Sequence, residues 1–346
     1  MEINKKEATW EELLGSNHWE DLLEPLNLDL RKLILRCGDF CQASYDAFNS
    51  DKHSKYSGSS RYGKNSFFQK VELESGSDYF VDTFLYATSR VDVPEAFLLH
   101  SYSREAWDRE SNWIGYIAIT SDKVSKANGR REIYIPWRGT IGNFEWINVL
   151  DPELGWLTIY TSDDSRSPFT KLSARTQLQD RIKELVSRYK DEKLSIKFTG
   201  HSLGACLSVV AAFDLVENGI SDIPVSAFVF GCPEVGNKAF NDKLKTFPNL
   251  RVLHVRNVID LIPHYPSKLL GQFFTLLQVG MERDGEFEMK VKRSVGLVNK
   301  SSEFLKDECL VPASWWVAKN KGMVLNKDGE WALAPPFEED IPVPEF

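Results

Sequence analysis

The chain reads as an α/β protein with a mostly parallel sheet, helices on both faces and a helical N-terminal region. Three features point there. Strand-like runs alternate with helix-like segments through the second half, the order that parallel strands joined by helical crossovers require. One junction, SIKFTGHSLGACLSVVAAFDLV at 195–216, passes straight from an alternating apolar stretch through Gly200-His201-Ser202-Leu203-Gly204 into a helix-like run. Before Leu35 the apolar residues fall at helical spacing.

In chain order, Trp10, Leu13, Leu14, Trp19, Leu22, Leu23, Leu33 and Ile34 give the helical spacing of the N-terminal region, broken at Gly15 and Pro25. The polar stretch NSDKHSKYSGSSRYGKN at 49–65 is a surface loop, and structure resumes at Phe67. Strand-like runs follow at Ala96–Ser101, Trp113–Thr120, Glu132–Pro136, Ser195–Thr199, Val225–Phe230 and Arg251–Val255. A long helix is expected from about Leu172 to Tyr189, a second after Gly204, and an amphipathic one after Asn237. A single domain over 1–346 is expected, comprising a helical region and loop at 1–65 and a Pro-rich acidic tail at 335–346.

At 346 residues, 42% hydrophobic, the chain can bury a sizeable core. A net charge of −8 gives no electrostatic reason to bind nucleic acid or anionic lipid, so contact with a membrane would be apolar or transient. No apolar stretch approaches the ~20 residues that span a bilayer. The N-terminus carries early acids and no apolar core of a targeting peptide. Five cysteines, an odd number in apolar or mixed surroundings, suit a reduced cytoplasmic setting. Cys37 and Cys41 share a helical face but have no accompanying Cys/His cluster, so they read as buried thiols and no metal is expected.

Gly-x-Ser-x-Gly arises by chance about 0.1 times in a chain of this length, so its context decides. A strand turning sharply into a helix forces its corner residue into strained geometry, and flanking glycines allow sheet and helix to meet. The hydroxyl then stands at the carboxyl edge of the sheet beside helix N-terminal amides, where an oxyanion can be held. Ile196 and Phe198 alternate before Ser202, and Ala205, Leu207, Val209, Val210 and Ala211 follow it, as that corner needs. Alternation turns His201 away from Ser202, which makes it a packing or hydrogen-bonding residue. The other reading of the motif is a turn without chemistry.

The stretches TWEELLGSNHWEDLLEPLNLDLR, YDAF, YIPWRGT with the following EW, GWLTIYTSDD, GHSLGACLS, FGCPEVGN, VRNVIDLIPHYP, VNKSSEFLKDECLVPASWW and KNKGMV run nearly end to end. In them the chain resembles the plant class II phospholipases A1, a cytosolic branch of the class 3 lipases with an α/β-hydrolase core. The resemblance implies hydrolysis of sn-1 acyl esters of glycerophospholipids by a serine nucleophile, Ser202, without cofactor or metal. It also puts oxyanion-hole amides on Thr140 and Leu203, and the acid that orients the base on Asp260. Members commonly carry an Asp soon after the Glu-Trp pair, whereas here Val149 intervenes before Asp151.

Asp260 closes the strand-like RVLHVRNVID, and the order Ser, Asp, His of this fold leaves His264 as the one histidine downstream. His264 shares a short Pro-bounded loop with Asp260, a poor place from which to bridge acid and nucleophile. His254 alternates within a strand and reads as buried packing, and Gln278 cannot take a proton. Relatives carry a longer segment after this loop, with the catalytic histidine near its end; here SKLLGQFFTLLQVGMERDGEFEMKVKR joins the two sides directly. Two readings therefore stand: an acyl hydrolase of phospholipid or another acyl-ester lipid, or a lipase-like isoform with impaired catalysis that binds a lipid or a partner. Gly155–Tyr160 reads either as a lid or acyl-chain wall or as a core strand.

Overall fold

A computed structural model describes residues 7–49, 56–88, 111–139, 152–163, 165, 170–256, 263, 323–325 and 331–333. Its centre is a six-stranded sheet in sequential order: β1 (Tyr79–Thr88), β2 (Ser111–Thr120), β3 (Arg131–Trp137), β4 (Leu194–His201), β5 (Val225–Phe230) and β6 (Leu250–Val255). The first two pairings are antiparallel and the last three parallel. In register, Trp137, Gly200 and Val229 lie level, so the parallel strands end together at one carboxyl edge. A separate two-stranded sheet pairs Met323–Leu325 with Trp331–Leu333.

Helices cover both faces. On one face lie α5 (Pro152–Thr161), α6 (Ala174–Arg188) and α7 (Leu203–Glu217), packed on Ile196, Phe198, Val225, Ala227 and Val229. Ser173 caps α6 by accepting from the Thr176 N–H, and the helix buries Ala174, Leu178, Ile182 and Leu185, a single stripe at helical spacing. The α7 helix is buried on nearly every side, which its small apolar residues allow. Shorter helices complete the fold: α1 (Trp10–Leu13), α3 (Phe67–Lys70), α4 (Asp122–Asn128) and α8 (Lys238–Leu244).

The opposite face is covered by α2 (Leu28–Asp46), capped by Asn27, which accepts from the Asp29 and Leu30 N–H groups. Its buried residues Leu30, Leu33, Cys37, Phe40 and Cys41 recur at helical spacing, and Phe40 stacks on Tyr134 with ring centroids 4.5 Å apart. Polar atoms of the sheet reach the N-terminal backbone: Thr199 Oγ1 donates to Cys37 O at 3.0 Å, Ser226 Oγ to Leu14 O at 2.8 Å, and Arg251 Nε to Gly15 O at 3.0 Å. The N-terminal region thus forms one wall of the core.

Several expectations change. The strand β1 has no counterpart among the sequence runs, and the Ala96–Ser101 run lies outside the described residues. Residues 152–161 are a helix, so the core-strand reading of Gly155–Tyr160 is corrected; Trp156, Ile159 and Tyr160 recur at helical spacing and enter the core. The strand β6 stops at Val255, five residues short of Asp260. His254 is exposed rather than buried: among the described residues β6 pairs with a strand on one side only, and of its own residues Leu250 alone is buried.

Beneath α2, Glu132 and Lys197 form a buried ion pair at 3.4 Å; Tyr134 Oη donates to Glu132 at 3.1 Å, and Arg130 contacts the same carboxylate. Burial alone would raise the Glu132 carboxyl, but Lys197, Arg130 and Arg36 outweigh it and hold it at about 2. Burial lowers the Lys197 ammonium against the opposing pull of Glu132. Removing one partner leaves the other unpaired inside the protein. We expect Glu132→Gln to lower the unfolding free energy by about 3 kcal/mol in urea titrations. The folded carboxyl lies below its ordinary 4.5, so between 4.5 and about 2 the unfolded chain binds more protons. The wild type should therefore lose stability more steeply than Glu132→Gln as pH falls through that window; parallel slopes would refute the assignment.

Candidate active site

The strand-to-helix corner is built from backbone that meets backbone. Gly200 is the last glycine of β4, and a Cβ on it would lie 2.2 Å from the Gly204 carbonyl oxygen. A Cβ on Gly204 would in turn lie 2.2 Å from the Trp137 carbonyl oxygen at the end of β3. Neither position has room for a side chain, so the two glycines let α7 start directly against the sheet. Between them Ser202 is held at φ 57° and ψ −120°, a left-handed conformation costing on the order of 1–3 kcal/mol in a non-glycine residue.

The Ser202 N–H donates to Phe230 O at 3.1 Å, and its own carbonyl accepts from the Ala205 and Cys206 N–H groups as α7 begins. Its Oγ is buried and has no hydrogen-bond partner among the described residues. Such an atom costs free energy unless a ligand or a further residue meets it. Leu203 is the first residue of α7, so its N–H has no acceptor within the helix. A developing negative charge beside Ser202 would find that N–H and the positive end of the α7 dipole.

Gly139 approaches from the other side. Its missing Cβ would lie 2.5 Å from the His201 carbonyl oxygen and 2.0 Å from the Tyr45 hydroxyl, so the end of β3 reaches the corner itself. Arg138 is fully buried there, donating through Nε to Trp113 O at 3.1 Å and through Nη1 to Gly139 O at 2.9 Å, and lying 4.0 Å over the Phe48 ring. It braces the strand end rather than facing solvent. Thr140 is the next residue in the chain and lies outside the described residues, as do Asp260 and His264.

The two described histidines nearest the corner are both engaged. His201 Nδ1 lies 3.0 Å from the Tyr45 hydroxyl, and His254 Nε2 accepts from the Cys232 N–H at 3.0 Å. The latter bond requires a lone pair on Nε2, so the neutral His254 ring carries its proton on Nδ1. Cys206, in the first turn of α7, hydrogen-bonds Cys232, and burial together with that neighbour pushes its thiol well up. Both thiols are free, as are Cys37 and Cys41. Sequence reasoning did not find Tyr45, although it belongs to the YDAF stretch; no local spacing connects residue 45 to residue 201.

Along α7, a groove of about 360 Å³ runs between α5 and α8, lined by Trp156, Leu157, Tyr160, Phe213 and Phe240. Its floor is fixed by Asp214, which accepts from Tyr160 Oη at 2.9 Å, from Gln179 at 2.6 Å and from the Arg175 guanidinium through Nε and Nη2. Burial, then the charge of Asp214, raises the Tyr160 phenol well above its ordinary range. One carboxylate thereby ties α5, α6 and α7 together.

A sheet of this order, with a serine at positive φ on a sharp strand-to-helix turn, defines an α/β-hydrolase. The family model for lipase (class 3) matches residues 134–270. Phospholipase A1-IIdelta of Arabidopsis thaliana is 53% identical over 409 residues, covering 98% of this chain and 99% of the relative. Phospholipase A1-II 5 of Oryza sativa subsp. indica is 47% identical, covering 97% and 84%, and phospholipase A1-IIbeta of Arabidopsis thaliana is 40% identical, covering 94% and 92%. The chain belongs to the class 3 lipase family. Among solved structures, Rhizomucor miehei lipase in its propeptide complex is similar over 70% of this chain and 65% of that one, at 16% identity and a TM-score of 0.42.

The 409-residue alignment is longer than this chain of 346, so the Arabidopsis relative contains residues that have no counterpart here.

Replacing Ser202 tests the strain directly. Ser202→Gly removes both the positive-φ penalty and the unpartnered hydroxyl, whereas Ser202→Ala removes only the hydroxyl. After allowing for the greater backbone freedom of unfolded glycine, Ser202→Gly should be more stable than Ser202→Ala by about 1 kcal/mol in urea titrations. The opposite order would mean that the corner is relaxed.

Proposed function

We propose that this chain is a carboxylic-ester hydrolase of the phospholipase A1 type, acting on the sn-1 acyl esters of glycerophospholipids. Ser202 is the nucleophile, Asp260 the orienting acid, and the backbone N–H groups of Leu203 and Thr140 the oxyanion donors. One observation carries the reading: a buried serine oxygen without a partner among the described residues, on a left-handed corner against a helix N-terminus. In the proposed step Ser202 Oγ attacks the acyl carbonyl and passes its proton to a base, His264 being the candidate. The carbonyl oxygen becomes the anion beside the Leu203 N–H, and collapse expels the lysolipid alcohol, leaving an acyl-enzyme for water to cleave.

The α5 groove is part of the proposal as an acyl-chain wall. It meets α7 at Val210, eight residues beyond Ser202, or about 12 Å along the helix. A fatty chain esterified at the corner is long enough to reach it. Membrane contact is transient and apolar in this reading, and the exposed Leu157 on α5 suits it. A cytoplasmic setting is proposed as well, supported by four free buried thiols.

The length difference from the Arabidopsis relative favours a second reading, a lipase-like protein that binds an acyl lipid with little turnover. Loss of a triad base leaves only ~10³–10⁴-fold acceleration over water. Hydrolysis of p-nitrophenyl butyrate by wild type and Ser202→Ala separates the two. The hydrolase reading expects turnover in wild type and background rate in Ser202→Ala, with sn-1 fatty acid released from a phosphatidylcholine bearing two different chains. Equal inertness of two cooperatively unfolding proteins would leave the binding reading in its place.

A further inference from the structure

We infer that Tyr45, from the helical N-terminal region, is a positioning residue for Ser202; this rests on the hydrolase reading proposed above. Tyr45 lies in the last turn of α2, well outside the residues 134–270 that match the family model. Its hydroxyl donates to the His201 carbonyl at 3.3 Å and lies 3.0 Å from His201 Nδ1. A phenol has one proton to give, so both contacts are satisfied together when Nδ1 carries a proton and donates it to the phenol oxygen.

The bonded carbonyl belongs to the peptide that joins His201 to Ser202. That planar unit is gripped at both ends, its oxygen by Tyr45 and its N–H by Phe230 O at 3.1 Å. Rotation of this plane about the Ser202 N–Cα bond is what φ measures, so the two hydrogen bonds together fix the left-handed φ of 57°. Without the Tyr45 hydroxyl the peptide loses one of these two bonds, and the strain at Ser202 has a path to relax. The same hydroxyl fills the space left by the missing Cβ of Gly139, so one side chain touches both the nucleophile's strand and the strand leading to the proposed oxyanion residue Thr140. Small errors in such a position are expensive for an attacking atom.

Tyr45→Phe keeps the ring and removes the hydroxyl. Its test is the rate at which a fluorophosphonate probe labels Ser202, with Ser202→Ala as the unlabelled control, together with thermal unfolding and ¹⁵N spectra of histidine-labelled protein. The expected result is a labelling rate constant about tenfold lower with unchanged apparent probe affinity. The thermal midpoint should hold or rise, since strain is released, and the His201 signal should lose its Nδ1–H signature. A purely structural role would lower the midpoint and leave the labelling rate of the folded fraction alone. Equal labelling of wild type and Tyr45→Phe overturns the positioning role while leaving the hydrolase reading intact. A wild type that takes no label overturns the hydrolase reading itself, and Tyr45 then has no part in hydrolysis.

Discussion

Gly204 stands so close to the end of β3 that a Cβ on it would be 2.2 Å from the Trp137 carbonyl oxygen, and the neighbouring geometry follows from that approach. With α7 seated directly on the sheet, the chain has no spare residue in which to turn from strand to helix. Ser202 must make the turn alone, in a conformation that side chains avoid. Gly200 then has to clear the first turn of the helix, and Gly139 the carbonyl of His201. The contacts of Gly204 with Trp137 and of Gly139 with His201 are local in space and distant in sequence, which is why the corner needs the sheet to hold it.

What supplies the holding is burial on both faces. The core under α5, α6 and α7 is apolar, with Asp214 joining the three helices, while the side of α2 mixes aromatic packing with buried charge. Apolar burial stabilises without specifying direction; the Glu132–Lys197 pair and the hydrogen bonds from Thr199 and Ser226 to the N-terminal backbone act on register. Thr199 reaches α2 itself, and a slip of that helix by one residue would part its hydroxyl from Cys37 O. The N-terminal region is therefore placed closely enough for a single hydroxyl at its end, that of Tyr45, to meet a single carbonyl of β4.

The sequence was most legible where chemistry and period coincide. Gly200-His201-Ser202-Leu203-Gly204 announces its corner because the glycines mark close approach, and the residues on either side change period from two to helical. The helix expected at 172–189 spans Ala174–Arg188, its start marked by the Ser173 cap. By contrast β1 is hidden, since register shifts at Val81/Thr83 and Leu85/Tyr86 break the alternation that would reveal it. The helix α5 looks like a strand because GWLTIY packs four bulky apolar residues into six positions, and only Trp156, Ile159 and Tyr160 keep a helical stripe. Alternation places His254 on the α7 face, but it cannot say that β6 pairs on one side only among the described residues. Tyr45 and His201 are 156 residues apart, and a contact of that kind is a property of the fold and not of any window of sequence.

Two unfavourable features meet on Ser202, a left-handed backbone and a buried oxygen without a partner among the described residues. Each costs on the order of 1–3 kcal/mol, against the roughly 5–15 kcal/mol by which domains are stable. A turn that served only to connect β4 to α7 would favour glycine at this position, which relieves both. Serine relieves neither and gains only a hydroxyl aimed where a helix N-terminus can meet a negative charge. The corner is complete among the described residues, since its glycines, the strand ends it packs against and the tyrosine that grips it all lie there. The corner is assembled by the sheet and the N-terminal helix, so the geometry at Ser202 and the supply of a base for the proposed reaction are separable properties of this fold.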